Sequence, residues 1–216
     1  MSDLWQHYQN NTGKVIDKWH HYFPIYERHF APWRNKTVTF LEIGVQHGGS
    51  LQMWKNYFGP SSTIIGVDIE SRCAGHDNPD NGIFMRIGDA TKPDFVQSIV
   101  DEFGEIDCVL DDGSHTNEDI AASFNMLYDT LSKNGVYVIE DIGFNLQHSP
   151  LSVANFSLLP LLKFQQPLEQ TTTGVSFYNS VMAFDRGNMP NRRLQIGQQV
   201  IYTDETWIGP NGIPRE

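Results

Sequence analysis

Apolar positions along this chain follow two periods, one of strands and one of helices. From Thr37 to Val45 the run Thr-Val-Thr-Phe-Leu-Glu-Ile-Gly-Val is β-branched and apolar except at Glu42, as expected of a strand covered on both faces. Further strands are predicted over Thr63 to Asp68, Ile83 to Gly88, Ile106 to Asp111 and Val136 to Glu140. Between them lie helical patterns at Gly49 to Phe58, Pro93 to Phe103 and about Asn117 to Leu131, the last closed by Lys133-Asn134-Gly135. Strand and helix in alternation predict an α/β fold with a doubly wound, mostly parallel sheet and helices on both faces. Upstream, Val15, Trp19, Tyr22, Tyr26 and Phe30 recur at helical spacing and predict an amphipathic helix that Pro24 kinks or splits. Downstream, a helical stretch near Leu151 to Phe164 precedes two short runs, Gly174 to Tyr178 and Ser180 to Phe184, spaced for an antiparallel hairpin added to the sheet. The expected division is a helical segment over 1–36, a core over 37–186 and a turn-rich tail over 187–216.

Composition narrows the classes of function. A chain of 216 residues that is 39% hydrophobic fills one core without covalent staples. A net charge of −11 opposes a surface that tracks phosphates, so no nucleic-acid partner is expected. The two cysteines, Cys73 and Cys108, lack C-x-x-C spacing. With no apolar leader segment and no run of membrane-spanning length, this predicts a cytoplasmic protein without a membrane partner.

In open α/β sheets ligands lie beyond the carboxyl ends of the strands. The first strand runs into Glu42-Ile-Gly44-Val-Gln-His-Gly48-Gly49-Ser50, where glycines admit a close ligand and a helix N-terminus offers free N–H groups. The second ends at Asp68, about 20 residues after the turn, where a carboxylate accepts the hydroxyls of a ribose; the third supplies Gly88-Asp89-Ala90. Singly, these are a glycine turn and helix caps. In this order they resemble the successive cofactor motifs of class I S-adenosylmethionine-dependent methyltransferases. The resemblance implies that Gly44 and Gly48 face the methionine part, Asp68 the ribose and Asp89 the adenine, with Glu42 and Ser50 supporting the turn or contacting the methionine end and Asp111 counted among the cofactor residues. Gln46 stands where many members carry a glycine. A nicotinamide enzyme would keep the tighter Gly-x-Gly-x-x-Gly, which is absent.

The fourth and fifth strands end in Asp111-Asp112-Gly113-Ser114-His115 and Glu140-Asp141. Such strands are neighbours in the class I sheet, so Asp112, Glu140 and Asp141 converge and repel unless a divalent cation joins them. Oxygen ligands favour Mg2+, with Mn2+ or Ca2+ as alternatives. Because side chains alternate along a strand, Glu140 and Asp141 share one ion only if the strand is already turning, which Gly143 permits. As caps and turn residues the same acids would have no chemistry. His115, at the mouth of the same cleft, has the chemistry of a general base near neutral pH.

Asp-Asp-Gly-Ser-His followed about 25 residues later by Ile-Glu-Asp resembles the metal-dependent sugar O-methyltransferases of macrolide biosynthesis, the mycinamicin and tylosin type. Gly49 to Phe58 and His21 to Phe30 extend the match, which runs from about Asp17 to Asp185. The resemblance implies magnesium held by Asp112, Glu140 and Asp141, His115 as base, and a sugar hydroxyl of a glycoside, oligosaccharide or polysaccharide precursor as acceptor, bound through vicinal hydroxyls. The segment 1–36 would line the acceptor site through His20, His21, Tyr22 and Tyr26, with Phe144 to Ser149 opposite, although core packing and a surface loop account equally for these residues. A homo-oligomer is left open. The rival readings are a catechol-type O-methyltransferase, which usually carries a lysine where His115 stands, and a non-catalytic S-adenosylmethionine-binding subunit.

Overall fold

The computed structural model describes residues 3–142 and 171–187, and strands at 193–196 and 200–203. Five strands, β1 (Thr39–Ile43), β2 (Thr63–Asp68), β3 (Ile83–Ile87), β4 (Ile106–Asp111) and β5 (Leu131–Ile139), lie parallel in one sheet. The hairpin of β6 (Thr172–Phe177) and β7 (Met182–Arg186) joins it antiparallel, giving the order β3-β2-β1-β4-β5-β7-β6. A separate ribbon pairs β8 (Arg193–Ile196) with β9 (Val200–Thr203). The helices are α1 (Asp3–Gln9), α2 (Phe23–Phe30), α3 (Gly49–Phe58), α4 (Pro93–Phe103) and α5 (Asn117–Leu127). Strand order reverses between β1 and β4, which opens a crevice at their carboxyl ends.

Each face of the sheet buries its own core. On one, Phe40 from β1 meets Trp54 at a 5.0 Å ring separation, with Tyr26, Phe30 and Phe58 around them. On the other, Phe124 of α5 packs on Tyr137 and Phe184 at 5.0 and 4.6 Å. Because Leu4, Tyr22, Phe23 and Tyr26 share the first of these cores, the N-terminal segment is packed onto the sheet through the same apolar interior as Trp54. Among the described residues no helix is long and apolar enough to cross a membrane.

Two expectations need correction. No helix runs from Val15: residues 15–19 are irregular, Val15 and Trp19 are 60% and 56% exposed, and a short 3-10 turn at His20–Tyr22 leads into α2. Pro24 sits in the first turn of α2, where its missing N–H costs nothing, so it starts a helix rather than kinking one. The helix predicted to reach Leu131 stops at Leu127, followed by a 3-10 turn at Tyr128–Thr130. Lys133-Asn134-Gly135 belongs to β5, where left-handed Asn134 (φ 70°) accompanies a shift of register against β4. The stretches expected at Leu151 to Phe164 and Phe144 to Ser149, Gly143, and the tail from Asp204 onward lie outside the described residues.

The ends of β1 and β4 meet backbone to backbone. Gly44 has φ +85°, and a Cβ there would fall 1.9 Å from the carbonyl oxygen of Asp112. Gly44→Ala is therefore expected to cost about 2 kcal/mol or more, combining left-handed strain with a clash that only backbone movement relieves. Urea unfolding measures it; unchanged stability would mean that the two strand ends are not in contact.

Candidate active site

A cavity of about 300 Å³ opens at the crevice, walled by Gly44, Asp68, Asp89, Asp111, Asp112 and Ser114. Its floor is the turn after β1. One oxygen of Asp68, Oδ2, accepts the amides of Val45 and Gln46 at 2.9 and 3.0 Å, and Oδ1 accepts that of Glu70 at 2.8 Å. Burial pushes this carboxyl's pKa up, but the three amides outweigh it and hold it below the usual range. Gln46 is left-handed, φ 47°, which is the conformation a glycine adopts without strain. Beyond it the amide of Gly49, opening α3, donates to the Val15 carbonyl at 3.2 Å, so the N-terminal segment crosses the turn.

The residues expected at the cofactor separate into two sets. Gly44, Asp68, Asp89 and Asp111 border the cavity. Glu42 and Ser50 lie buried behind the turn, Ser50 Oγ donating to Glu42 Oε2 at 2.7 Å, and Gly48 caps α3 with φ 76°. Hydrogen bonds from the hydroxyl and amide of Thr91 hold the Asp89 carboxyl below its ordinary pKa. Asp111 is engaged from below: its Oδ2 accepts Ser123 Oγ at 2.5 Å and the Tyr137 hydroxyl at 2.8 Å, tying α5 to the sheet. Burial pushes its pKa up despite these donors. Ile69, 68% exposed and on the cavity wall beside Asp68, was missed in the sequence, where an isolated isoleucine after a strand carries no signal.

Next to this cavity the acids of β4 and β5 assemble. Asp112 Oδ1 lies 3.1 Å from His115 Nε2, and Asp141 Oδ2 lies 3.7 Å from the same nitrogen. One ligand atom from each of Asp112, His115 and Asp141 falls within 4.8 Å of the others. The two carboxylates, partly exposed, offer hard oxygens that suit a divalent cation of the magnesium or manganese kind, with the imidazole beside them. The alternation of side chains is resolved by backbone conformation. Asp141 is left-handed, φ 51°, and swings towards His115 with the Tyr22 hydroxyl donating to its Oδ1, while Glu140 points inward and is 1% exposed. His115 is also left-handed, φ 59°. Hydrogen bonding to Asp112 raises its pKa against the opposing effect of burial.

Behind this group lies a residue that the sequence reading did not single out. Lys18, with a side chain 2% exposed, places Nζ 2.5 Å from Asp112 Oδ2, 3.3 Å from both oxygens of Glu140 and 3.2 Å from Glu42 Oε1. The contact to Glu42 is an ion pair at a poor hydrogen-bond angle, since Oε1 has no aligned donor. Tyr26 adds a hydroxyl to Glu140 Oε1 at 2.5 Å. Burial lowers the pKa of Lys18, but Asp112, Glu140 and Glu42 together outweigh it and hold it well above the usual value. The Glu140 carboxyl is pushed up as well, by burial and the charge of Asp112. A faint signal existed: Lys18, Tyr22 and Tyr26 stand at i, i+4 and i+8, and all three end on these acids. Of the expected acceptor-lining residues, Tyr22 and Tyr26 thus serve the carboxylates, and His20 packs on Trp5 and Tyr8.

A carboxyl whose folded pKa lies below its unfolded value stabilises fully above about pH 4, and that contribution disappears as the pH falls through the folded value. Asp68 has this sign. Asp68→Asn should lower the melting temperature at pH 7 and flatten the acid limb of the stability curve, the two curves converging as the pH falls through the folded value. Parallel curves across that range would show that Asp68 does not anchor the turn as a carboxylate.

No family model matches this chain. It is 39% identical over 135 residues to 8-demethyl-8-alpha-L-rhamnosyl tetracenomycin-C 2'-O-methyltransferase of Streptomyces olivaceus, covering 58% of this chain and 35% of that protein. Demethylmacrocin O-methyltransferase of Streptomyces fradiae is 38% identical over 138 residues, 59% of this chain and 34% of its own length. The chain thus spans about a third of the length of the curated relatives it matches. Among solved structures, the MycE methyltransferase from the mycinamycin biosynthetic pathway, in complex with Mg and SAH, superposes with a TM-score of 0.69 at 31% identity, over 87% of this chain and 54% of that one. The same methyltransferase holding Mg, SAH and mycinamycin VI gives 0.67. By sequence this chain resembles these O-methyltransferases, and its sheet has the class I methyltransferase fold.

Proposed function

We propose that this chain transfers a methyl group from S-adenosylmethionine to a sugar hydroxyl with the help of a divalent cation. The observation that carries the reading is the meeting of Asp112, His115 and Asp141 beside a cavity whose walls are Gly44, Asp68, Asp89 and Asp111. It is supported by relatives that are sugar O-methyltransferases and by a structural neighbour that holds Mg, SAH and a glycoside. When bound, S-adenosylmethionine supplies an electrophilic methyl and the cation supplies positive charge at the acceptor oxygen.

The chain's own part is positioning and proton transfer. Asp68 and Asp89 offer carboxylate oxygens to the hydroxyl and amino groups of a nucleoside, and left-handed Gly44 brings no side chain to the cavity wall. Asp112 and Asp141 would hold the cation, with Glu140 behind them as the third carboxylate. His115, its ring partly exposed and its Nε2 turned to Asp112 and Asp141, takes the acceptor's proton. Holding acceptor and donor in reacting geometry is worth on the order of 7–11 kcal/mol, more than any single side chain supplies. A sugar with two adjacent hydroxyls fits this site better than a catechol, because an aliphatic hydroxyl needs both a base and a neighbouring positive charge, whereas a phenol ionises near pH 10 unaided.

The test is methyl transfer to a panel of rhamnosides, other glycosides and catechols, with Mg2+ or with chelator. Turnover on glycosides that chelator abolishes is expected; turnover on catechols alone would favour the small-diol reading, and cofactor binding without any methylation would favour a regulatory subunit. In the active case His115→Ala should lose roughly 10²- to 10⁴-fold in kcat, with cofactor affinity by calorimetry within a few-fold of wild type. Retained turnover would move the base elsewhere.

A further inference from the structure

The acids of this site include more charge than the proposed cation would meet. Glu42, Asp112 and Glu140 surround one point, Glu42 and Glu140 being fully buried, and that point is occupied by the ammonium of Lys18. Buried carboxylates this close persist only with a countercharge. Lys18 is the only lysine or arginine among the described residues recorded in ion pairs with any of these three. It comes from the irregular segment 15–19, which is held by the amide of Gly49, at the start of α3, on the Val15 carbonyl, and which follows Lys14, whose Nζ meets His76 Nδ1 at 2.9 Å.

We infer that Lys18 is a resident cation of the metal site, a positioning residue that keeps Asp112 and Glu140 in place before a divalent ion arrives and sets how tightly that ion binds. The inference rests on the metal reading proposed above. It follows from the two faces of Asp112: Oδ2 is committed to Lys18 while Oδ1 remains on the His115 side, shared with Asp141. The ammonium and the ion then draw on the same carboxylates from opposite sides. An ion approaching Asp112 and Asp141 is repelled by the ammonium, and that cost weakens its binding. In return the metal-free site stays assembled, because its acids are already compensated. Glu140 turns towards the ion only to the extent that Lys18 and the Tyr26 hydroxyl release it.

Removing the ammonium while keeping the length of the side chain separates this role from a packing role. Lys18→Met should melt lower than wild type in chelator, regain much of that loss in Mg2+ or Mn2+, and bind Mn2+ roughly tenfold or more tightly, since a unit charge a few ångströms away has gone. The double variant K18M/E42Q removes one charge of each sign, so it should fold more readily than the single variant, and its Mn2+ affinity should lie between those of wild type and Lys18→Met. Melting curves in chelator and in metal, with Mn2+ binding followed by electron paramagnetic resonance, read these effects without any assay of turnover. Mn2+ bound by wild type but no tighter by either variant overturns the role given to Lys18 alone. Flat Mn2+ titrations for wild type and both variants overturn the metal reading and this inference with it.

Discussion

The ammonium of Lys18 among Glu42, Asp112 and Glu140 is the contact on which the rest of the site's geometry depends. These acids come from the ends of three adjacent strands, β1, β4 and β5. Parallel pairing sets each of those ends one strand spacing from the next, with β4 in the middle, so their repulsion is built into the topology. Leaving one such buried charge without its partner costs about 3–5 kcal/mol, a large share of a domain's net stability. The cation is delivered by a stretch with no regular structure, whose own anchors are a backbone hydrogen bond to α3 and the aromatic packing of the residues that follow it. The N-terminal segment is thereby made part of the site and not an attachment to it.

Strand-end acids elsewhere in the crevice show how the fold divides labour between binding and support. Asp68 holds the turn through three amides while still bordering the cavity. Asp111 faces the cavity too, yet one of its oxygens is committed to Ser123 and Tyr137. Glu42 is wholly internal, linking Ser50 to Lys18. A carboxylate at a strand end in this chain is therefore as often an organiser of backbone as a hand extended to a ligand. That is why Glu42 and Ser50 are separated from the cavity although they stand in the same motif as Gly44.

The sheet was legible because its strands are short apolar runs bounded by turn residues, and β2, β4, α3 and α4 have the bounds expected from pattern alone. Legibility failed where two signals overlap. Val15 and Trp19 continue the spacing of Tyr22, Tyr26 and Phe30, but the segment is held by charge and by capping instead of by an apolar face, so its side chains at those positions face solvent. Lys133-Asn134-Gly135 reads as a helix stop, yet a left-handed asparagine serves equally as an irregularity inside a strand. Asp112, His115 and Asp141 could be expected together once β4 and β5 were taken as neighbours. That Glu140 would be left out of that group could not, because it follows from one left-handed residue, Asp141, whose side chain gives no warning. Lys18 carried only the faint signal of its spacing with Tyr22 and Tyr26 for a related reason: a single lysine acquires its meaning from acids 24, 94 and 122 residues away.

We propose the acids of β4 and β5, with His115 beside them, as a divalent-metal centre at the edge of the cavity bordered by Asp68 and Asp89. Crystals grown with Mn2+ and S-adenosylhomocysteine test it through anomalous scattering. The expected result is a single strong peak within ligand distance of Asp112 and Asp141, with the nucleoside in the cavity bordered by Asp68 and Asp89. A peak elsewhere, or none with the nucleoside in place, would contradict it.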